Sequence, residues 1–231
     1  MRFFFPNLTD LPSTVISAST ENPKLPARNV ANGIVQKVWR TGSAAGLEWI
    51  SLDLGSSLPV ASVILLGHTL KASDSLLKVE ASSVADYSTV EFTLPLSWDA
   101  GPILAVFERR VGRYWRISFT KAAAETRHIG RLFLGDYFEP TSFVDHDGVD
   151  EGIEDLSVTQ QGQSGQEFTD IRARLGTFAI NFSDCSEEDA TQFKTILSDR
   201  SKWIFPNTGI RTICNSNRFY RWLYQPKLSV E

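Results

Sequence analysis

Hydrophobic and polar residues alternate with a period of two through most of residues 49–136. In the segment EWISLDLG, Ile50, Leu52 and Leu54 fall on one face and Ser51 and Asp53 on the other, the pattern of a strand with one buried side. In RYWRISF, Trp115, Ile117 and Phe119 alternate in the same way against Tyr114, Arg116 and Ser118. The runs ASVILLGHT, LLKVEASS, PILAVFERR and HIGRLFLGD lie between or beyond these two, separated by polar or glycine turns and with almost no helical period among them. Many short strands with short connections predict an antiparallel β-sandwich over residues 1–138.

The stretch FEPTSFVDHDGVDEGIEDLS is acidic and lacks periodicity, and residues 139–155 are expected to be a linker. Beyond it, DLSVTQQGQSGQEFTDIRARLGTFAINF reads as strands around a Gly/Gln/Ser loop. The period then changes to 3.6, and Ala190, Phe193, Ile196 and Leu197 form an apolar stripe over about residues 186–199. Ser183, Asp184 or Ser186 can cap this helix, and Glu187, Glu188 and Asp189 suit the positive end of its dipole, with Lys194, Arg200 and Lys202 toward the other end. Two further strand-like runs follow. The expected fold class is mainly β: an N-terminal antiparallel β-sandwich (jelly roll) plus a smaller, β-rich α+β module of order β-β-α-β-β over residues 156–231, with one helix.

Composition narrows the function. A chain of 231 residues with 42% hydrophobic residues can build two cores, and a net charge of -4 supplies no basic field for a phosphate backbone, so nucleic acid is not expected as a partner. The apolar start breaks at Pro6 and Asp10, short of a signal peptide, and no stretch reaches the roughly 18–20 apolar residues that cross a bilayer. Neither export by the general secretory route nor membrane insertion is expected. The two cysteines, Cys185 and Cys214, read as free, partly buried thiols.

The runs VISASTENPKLPARNVANG, VWRTGSAAGLEWISLDLG, RYWRISFT and IGRLFLGD occur in the order and spacing of the discoidin, or coagulation-factor C-domain, family of galactose-binding-like jelly rolls, which the first module resembles. Trp49, Asp53, Leu54 and Gly55 match that family's W-x-x-x-D-L-G strand, and the segment from Arg113 to Ile117 its R-Y-x-R-I strand. The family's terminal cysteine pair is missing, which points to a relative folded inside a cell. The resemblance implies a ligand site on the loops at one end of the sandwich, here residues 22–24, 36–47 and 68–75, with Asn22, Lys24, Trp39, Arg40 and His68 as candidate binding residues. Trp39 beside Arg40 could offer a flat face and a guanidinium to a sugar, although the commoner fate of such a Trp is core packing.

The second module, through Ser186, Asp189, Ala190 and Phe193 on its helix and Phe205 with Pro206 after it, is similar to the tail-tip and distal tail proteins of long-tailed bacteriophages. That resemblance implies a structural protein of a virion tail or baseplate, folded in the host cytoplasm, with other tail proteins and a homo-oligomeric ring as partners and a host-surface glycan as a further possible one. Arg218, Tyr220, Arg221, Trp222 and Tyr224 have the composition of an interface and are its candidates for assembly. The rival expectation is a stand-alone lectin or the binding module of a glycan-processing enzyme.

No catalytic chemistry is legible. The histidines His68, His128 and His146 lack metal-ligand spacing, and the acidic run at Asp145, His146, Asp147 and Asp150 lacks the ligand set of a calcium loop. There is no nucleophile elbow, Walker loop or dinucleotide fingerprint. Asp53 reads as a turn anchor, not as half of an acid/base couple with Glu48. The expectation is a binding protein with no enzymatic activity, no cofactor and no metal.

Overall fold

In a computed structural model of the chain, the described residues are 2–141, 149–161, 165–171, 174–180 and 185–198. They fall into two compact units, one of Phe3–Phe138 and a smaller one built mainly from residues after it.

The larger unit contains β1 (Phe3–Asn7), β2 (Val15–Ala18), β3 (Trp39–Arg40), β4 (Gly46–Leu66), β5 (Ser75–Ser82), β6 (Val90–Pro95), β7 (Ile103–Lys121), β8 (His128–Ile129) and β9 (Arg131–Phe138). All its pairings are antiparallel. The long strands β4 and β7 pair along most of their length, and the outer neighbours of both differ between their two halves. The first half of β4 is flanked by β2 and its second half by β9, while the second half of β7 is flanked by β5. One hydrogen-bonded ribbon is thereby folded over into two layers, β2-β4-β7-β5-β6 and β1-β9-β4-β7.

The fold-over has a local cause. The β4–β7 register slips between Asp53 and Leu58 and again between Val60 and Ser62, and such bulges bend a strand and raise its twist. Gly55 sits there at φ +77, in the left-handed region open to glycine, and its N–H donates to the Asp53 carboxylate at 2.9 Å. Asp53 is the turn anchor expected of it, and Arg113 grips the same carboxylate at 2.7 and 2.9 Å. The runs EWISLDLG and ASVILLGHT, taken from sequence as two strands with a turn between them, are therefore one strand around a corner. PILAVFERR and RYWRISFT form a second one.

Alternation holds where one face is wet. Ile50, Leu52, Leu54, Trp115, Ile117 and Phe119 are all buried, in one cluster with Val63, Leu65, Leu132 and Leu134 from the facing layer. Alternation fails over Val60–Leu65, where every residue is buried, because this half of β4 is apolar on both sides. Val63 and Leu65 join the main core, and Ile64 packs with Phe4 and Phe133 in a separate cluster.

The smaller unit contains β10 (Val149–Asp155), β11 (Val158–Gln161), β12 (Glu167–Asp170), β13 (Arg174–Ile180) and α1 (Glu187–Ser198). The last seven residues of the expected linker are thus a strand: β10 pairs residue for residue with β13. Ladder bonds are made by the backbone, so an acidic, aperiodic stretch can still supply a strand. β11 and β12 form the expected hairpin around the Gly/Gln/Ser loop. Four strands, not two, precede the helix, and the strands expected after it lie outside the described residues.

The helix begins where its cap predicts. The Asp189 N–H donates to the Ser186 hydroxyl at 3.1 Å, and the buried Asp189 carboxylate accepts from the N–H and hydroxyl of Thr141 at 3.0 and 2.8 Å. Phe193 and Ile196 are buried. Phe193→Ala should lower the stability of this unit by about 3–5 kcal/mol, the cost of emptying an aromatic core position. Unchanged thermal unfolding of the variant would show that Phe193 contributes no core.

Candidate functional site

Because β4 and β7 fold over at one end of the sandwich, their termini Gly46, Leu66, Ile103 and Lys121 gather at the other, with the starts of β5 and β9. The loops before β4, between β4 and β5, before β7 and after β7 meet over this open end. They are held by direct bonds: Thr41 N–H to the Arg127 carbonyl at 2.9 Å, Thr69 N–H to the His128 carbonyl at 3.0 Å, and Gly130 N–H to the Leu66 carbonyl at 3.0 Å. Gly130 has to be glycine for this closure, since a Cβ there would stand 2.3 Å from the Val35 carbonyl oxygen.

Two ion pairs set the base of the site. Lys121 is wholly buried, and its Nζ lies 2.9 Å from Glu48 Oε1 and 2.5 Å from the Gly42 carbonyl. The other Glu48 oxygen accepts from the hydroxyls of Ser19 and Thr20 at 2.5 and 2.7 Å. Arg127, also buried, forks onto Asp74 at 2.7 and 2.9 Å and reaches Glu125 at 2.9 Å. A buried charge is tolerated only when paired and fully bonded, so these groups pin the loops that supply their partners. Glu48 and Asp53 therefore serve separate structural roles and form no acid/base couple.

On that base the tripeptide from His68 to Leu70 connects three groups. His68 donates from Nε2 to the Gly101 carbonyl at 2.7 Å and accepts the Leu70 N–H on Nδ1 at 3.2 Å, which uses both ring nitrogens. Thr69 accepts the His128 N–H on its hydroxyl at 2.9 Å. The Leu70 carbonyl accepts the Trp98 indole N–H at 2.9 Å, and the Trp98 side chain is left 41% exposed. Arg40 donates from Nε to His128 Nε2 at 2.7 Å, and among the described residues no acceptor is bonded to its two Nη groups. The arrangement presents a fixed guanidinium edge, backbone polar groups and a partly open indole: directional donors and a flat apolar face, with no nucleophile or acid/base pair among them.

Both histidines are held below the ordinary imidazole value. Burial is the first cause for each, and the Arg40 charge adds to it at His128, while the Gly101 carbonyl and Asp99 act the other way at His68. The fold favours the neutral rings, so their contribution to stability is complete above pH 6.5 and is lost as the pH falls through the lower folded values. Asp53, Asp74 and Glu80 are also held low and lose their contributions only in the more acid carboxylate range. The loop end should therefore loosen as the pH falls below about 6.5, before the acid transition of the rest of the sandwich. Amide exchange of residues 66–75 and 122–130 against pH checks this, and identical pH dependence at the loop end and in β4 would contradict it.

Of the expected binding residues, Arg40 lies at this loop end, bonded to His128. Asn22 and Lys24 stand beside it: the Asn22 N–H donates to the Arg40 carbonyl at 3.0 Å and the Asn22 carboxamide oxygen accepts the Lys24 N–H at 2.9 Å. His68 is a clasp between loops and not a free ligand group. Trp39 has to be corrected from a sugar platform to a core residue. It is fully buried, its indole N–H donates to the Thr20 carbonyl at 3.0 Å, and its ring meets Phe119 edge-on at 6.4 Å. Pairing of β3 with β8 turns it inward. Trp98 and the role of His128 were not anticipated. The signal for Trp98 was an aromatic in a Pro- and Gly-flanked turn, LPLSWDAGP, with no strand face to bury it.

The assembly candidates Arg218, Tyr220, Arg221, Trp222 and Tyr224 lie outside the described residues, as do His146 and Cys214. Cys185 is a free thiol and exposed, not partly buried. Among the described residues no cluster of three or more His, Cys, Asp or Glu could hold a metal, and no helix is long and apolar enough to cross a membrane.

No protein-family profile and no curated protein matches the sequence. Among solved structures the chain is similar to a GH29 fucosidase of Ruminococcus gnavus in complex with fucose, at 14% identity over 58% of this chain, with a TM-score of 0.48. The chain spans 27% of that fucosidase. It is similar also to a chitosan-binding module from a Paenibacillus chitosanase/glucanase (20% identity, 57% of this chain, 100% of the module, TM-score 0.48). A fucose-binding module of Streptococcus pneumoniae gives 17% identity, 58% of this chain, 100% of the module and a TM-score of 0.47.

Proposed function

We propose that the sandwich is a non-catalytic carbohydrate-binding module whose ligand seats on the loop end, against Trp98 and the open edge of Arg40. What supports this is that one loop end, locked from beneath by buried ion pairs, holds both a guanidinium with unspent Nη donors on His128 and a partly exposed indole on the Leu70 carbonyl. Saccharides expose hydroxyls at the ring edge and C–H groups on the ring face, and the two groups match those two surfaces. Rigid loops keep the ordering cost of binding low.

Calorimetric titration of the full chain with a panel of oligosaccharides tests the proposal. Binding should be found, and Trp98→Ala should weaken it by about tenfold or more, as expected of an aromatic anchor, with thermal unfolding of the protein unchanged. Binding that survives Trp98→Ala at full strength would place the site elsewhere.

A role in assembly is a second reading, favoured by one observation. Leu156, Val158, Phe168 and Ile171 on and beside the β11–β12 ribbon are exposed, and a two-stranded ribbon is marginally stable in water by itself. Sedimentation of the full chain separates the readings: a monomer at micromolar concentration removes self-association, though not binding to a different protein.

A further inference from the structure

Arginines of the sandwich are, with one exception among those that reach into its polar networks, neutralised from within. Arg113 bonds Asp53, Arg116 bonds Glu80, Arg127 bonds Asp74 and Arg131 bonds Asp10. Arg40 bonds an imidazole. His128 accepts on Nε2 and is held in its neutral form, so it orients the guanidinium without cancelling its charge. The remaining Nη edge is a rigid two-donor fork of the shape that fits a carboxylate.

The surroundings have the same bias. Within the loops of this end, Arg127 with Asp74 and Lys71 with Glu125 are paired. Setting those pairs aside leaves Lys24, Arg28, Lys37 and Arg40 against Glu21 and Asp99, an excess of two positive charges in a chain whose net charge is -4. A concentration of positive charge against the overall sign draws an anionic ligand to one pole of the molecule.

We infer that the ligand is an acidic saccharide whose carboxylate is taken bidentately by the Nη edge of Arg40, with Lys24 and Lys37 adding attraction at the rim. This rests on the carbohydrate-binding reading and narrows it. A neutral sugar would leave a partly buried guanidinium with only neutral partners, whereas a uronate or sialate completes for Arg40 the pairing that the other four arginines already have.

The test titrates the full chain with oligosaccharides bearing uronic or sialic acids, and with the same compounds after reduction of the carboxyl group to an alcohol. Charge-assisted bonds to a fixed fork should make the acidic member of each binding pair tighter by about tenfold or more. Arg40→Gln and Arg40→Lys should both erase that preference, the lysine variant because it keeps the charge but lacks the fork. Dextran sulfate, a polyanion without carboxylates, serves as the control. If it binds as well as the acidic sugars and Arg40→Lys changes nothing, the loop end is merely a diffuse basic patch and the inference falls. Equal binding of acidic and reduced members overturns the acidic-ligand inference and leaves the carbohydrate site standing. Absence of binding by both sets overturns both. Comparing acidic and reduced ligands needs no variant, so the outcome stands even if Arg40 substitutions impair folding.

Discussion

Lys121→Ala is expected to destabilise the sandwich by about 3–5 kcal/mol, the loss associated with removing one partner of a buried, fully bonded ion pair. The ammonium stands in the core beneath the loops, and its removal leaves the Glu48 carboxylate charged, buried and without its counter-ion. It also strips a donor from the Gly42 carbonyl and the Thr41 hydroxyl, on the strand-to-strand passage that follows Arg40. Since a domain of this size is stable by about 5–15 kcal/mol, a fifth or more of its stability would go. Urea unfolding of wild type and variant measures the change. A midpoint that does not move would mean that water or a neighbouring group replaces the ammonium and that the pair does not hold the loops.

Trp39→Ala should cost a similar amount, about 3–5 kcal/mol, for a different reason. Its indole fills the core against Phe119 and satisfies the Thr20 carbonyl, so truncation leaves a cavity and an unbonded acceptor together. The contrast with Trp98 is what gives the result meaning. Both substitutions should reduce the proposed glycan binding, but Trp39→Ala through loss of the folded state and Trp98→Ala with the fold intact. If Trp39→Ala unfolds at the wild-type temperature and binds poorly, the indole is a ligand platform after all and its buried placement is wrong.

Much of the sandwich is legible in its sequence because alternation is a direct image of one buried face. Ile50, Leu52, Leu54, Trp115, Ile117 and Phe119 occupy the core as their spacing predicts. What alternation cannot convey is continuity through a bulge. Gly55, two serines and Pro59 look like a turn between strands, yet here they bend one strand from layer to layer. Nor does a local pattern tell a loop tryptophan from a core one. Trp39 adjoins glycine and small residues and is buried by pairing with a segment about 90 residues later, a contact that no window of sequence contains. Trp98 lies in a turn where no face is defined, and His128 acquires its role only by meeting Arg40 and Thr69 from distant loops. The helix is legible throughout its first turns, from the Ser186 cap to Phe193, because caps and stripes are local devices.

The pairing of Phe3 with Phe138 has a geometric consequence for display. β9 starts at Arg131, beside the loop end, and finishes at Phe138 seven residues on, which at roughly 3.3 Å per residue is about 23 Å away. The polypeptide therefore enters and leaves the sandwich side by side, at the pole remote from Arg40 and Trp98. A domain whose two ends leave together at one pole can be grafted onto or inserted within another chain with its opposite, loop-bearing pole left open.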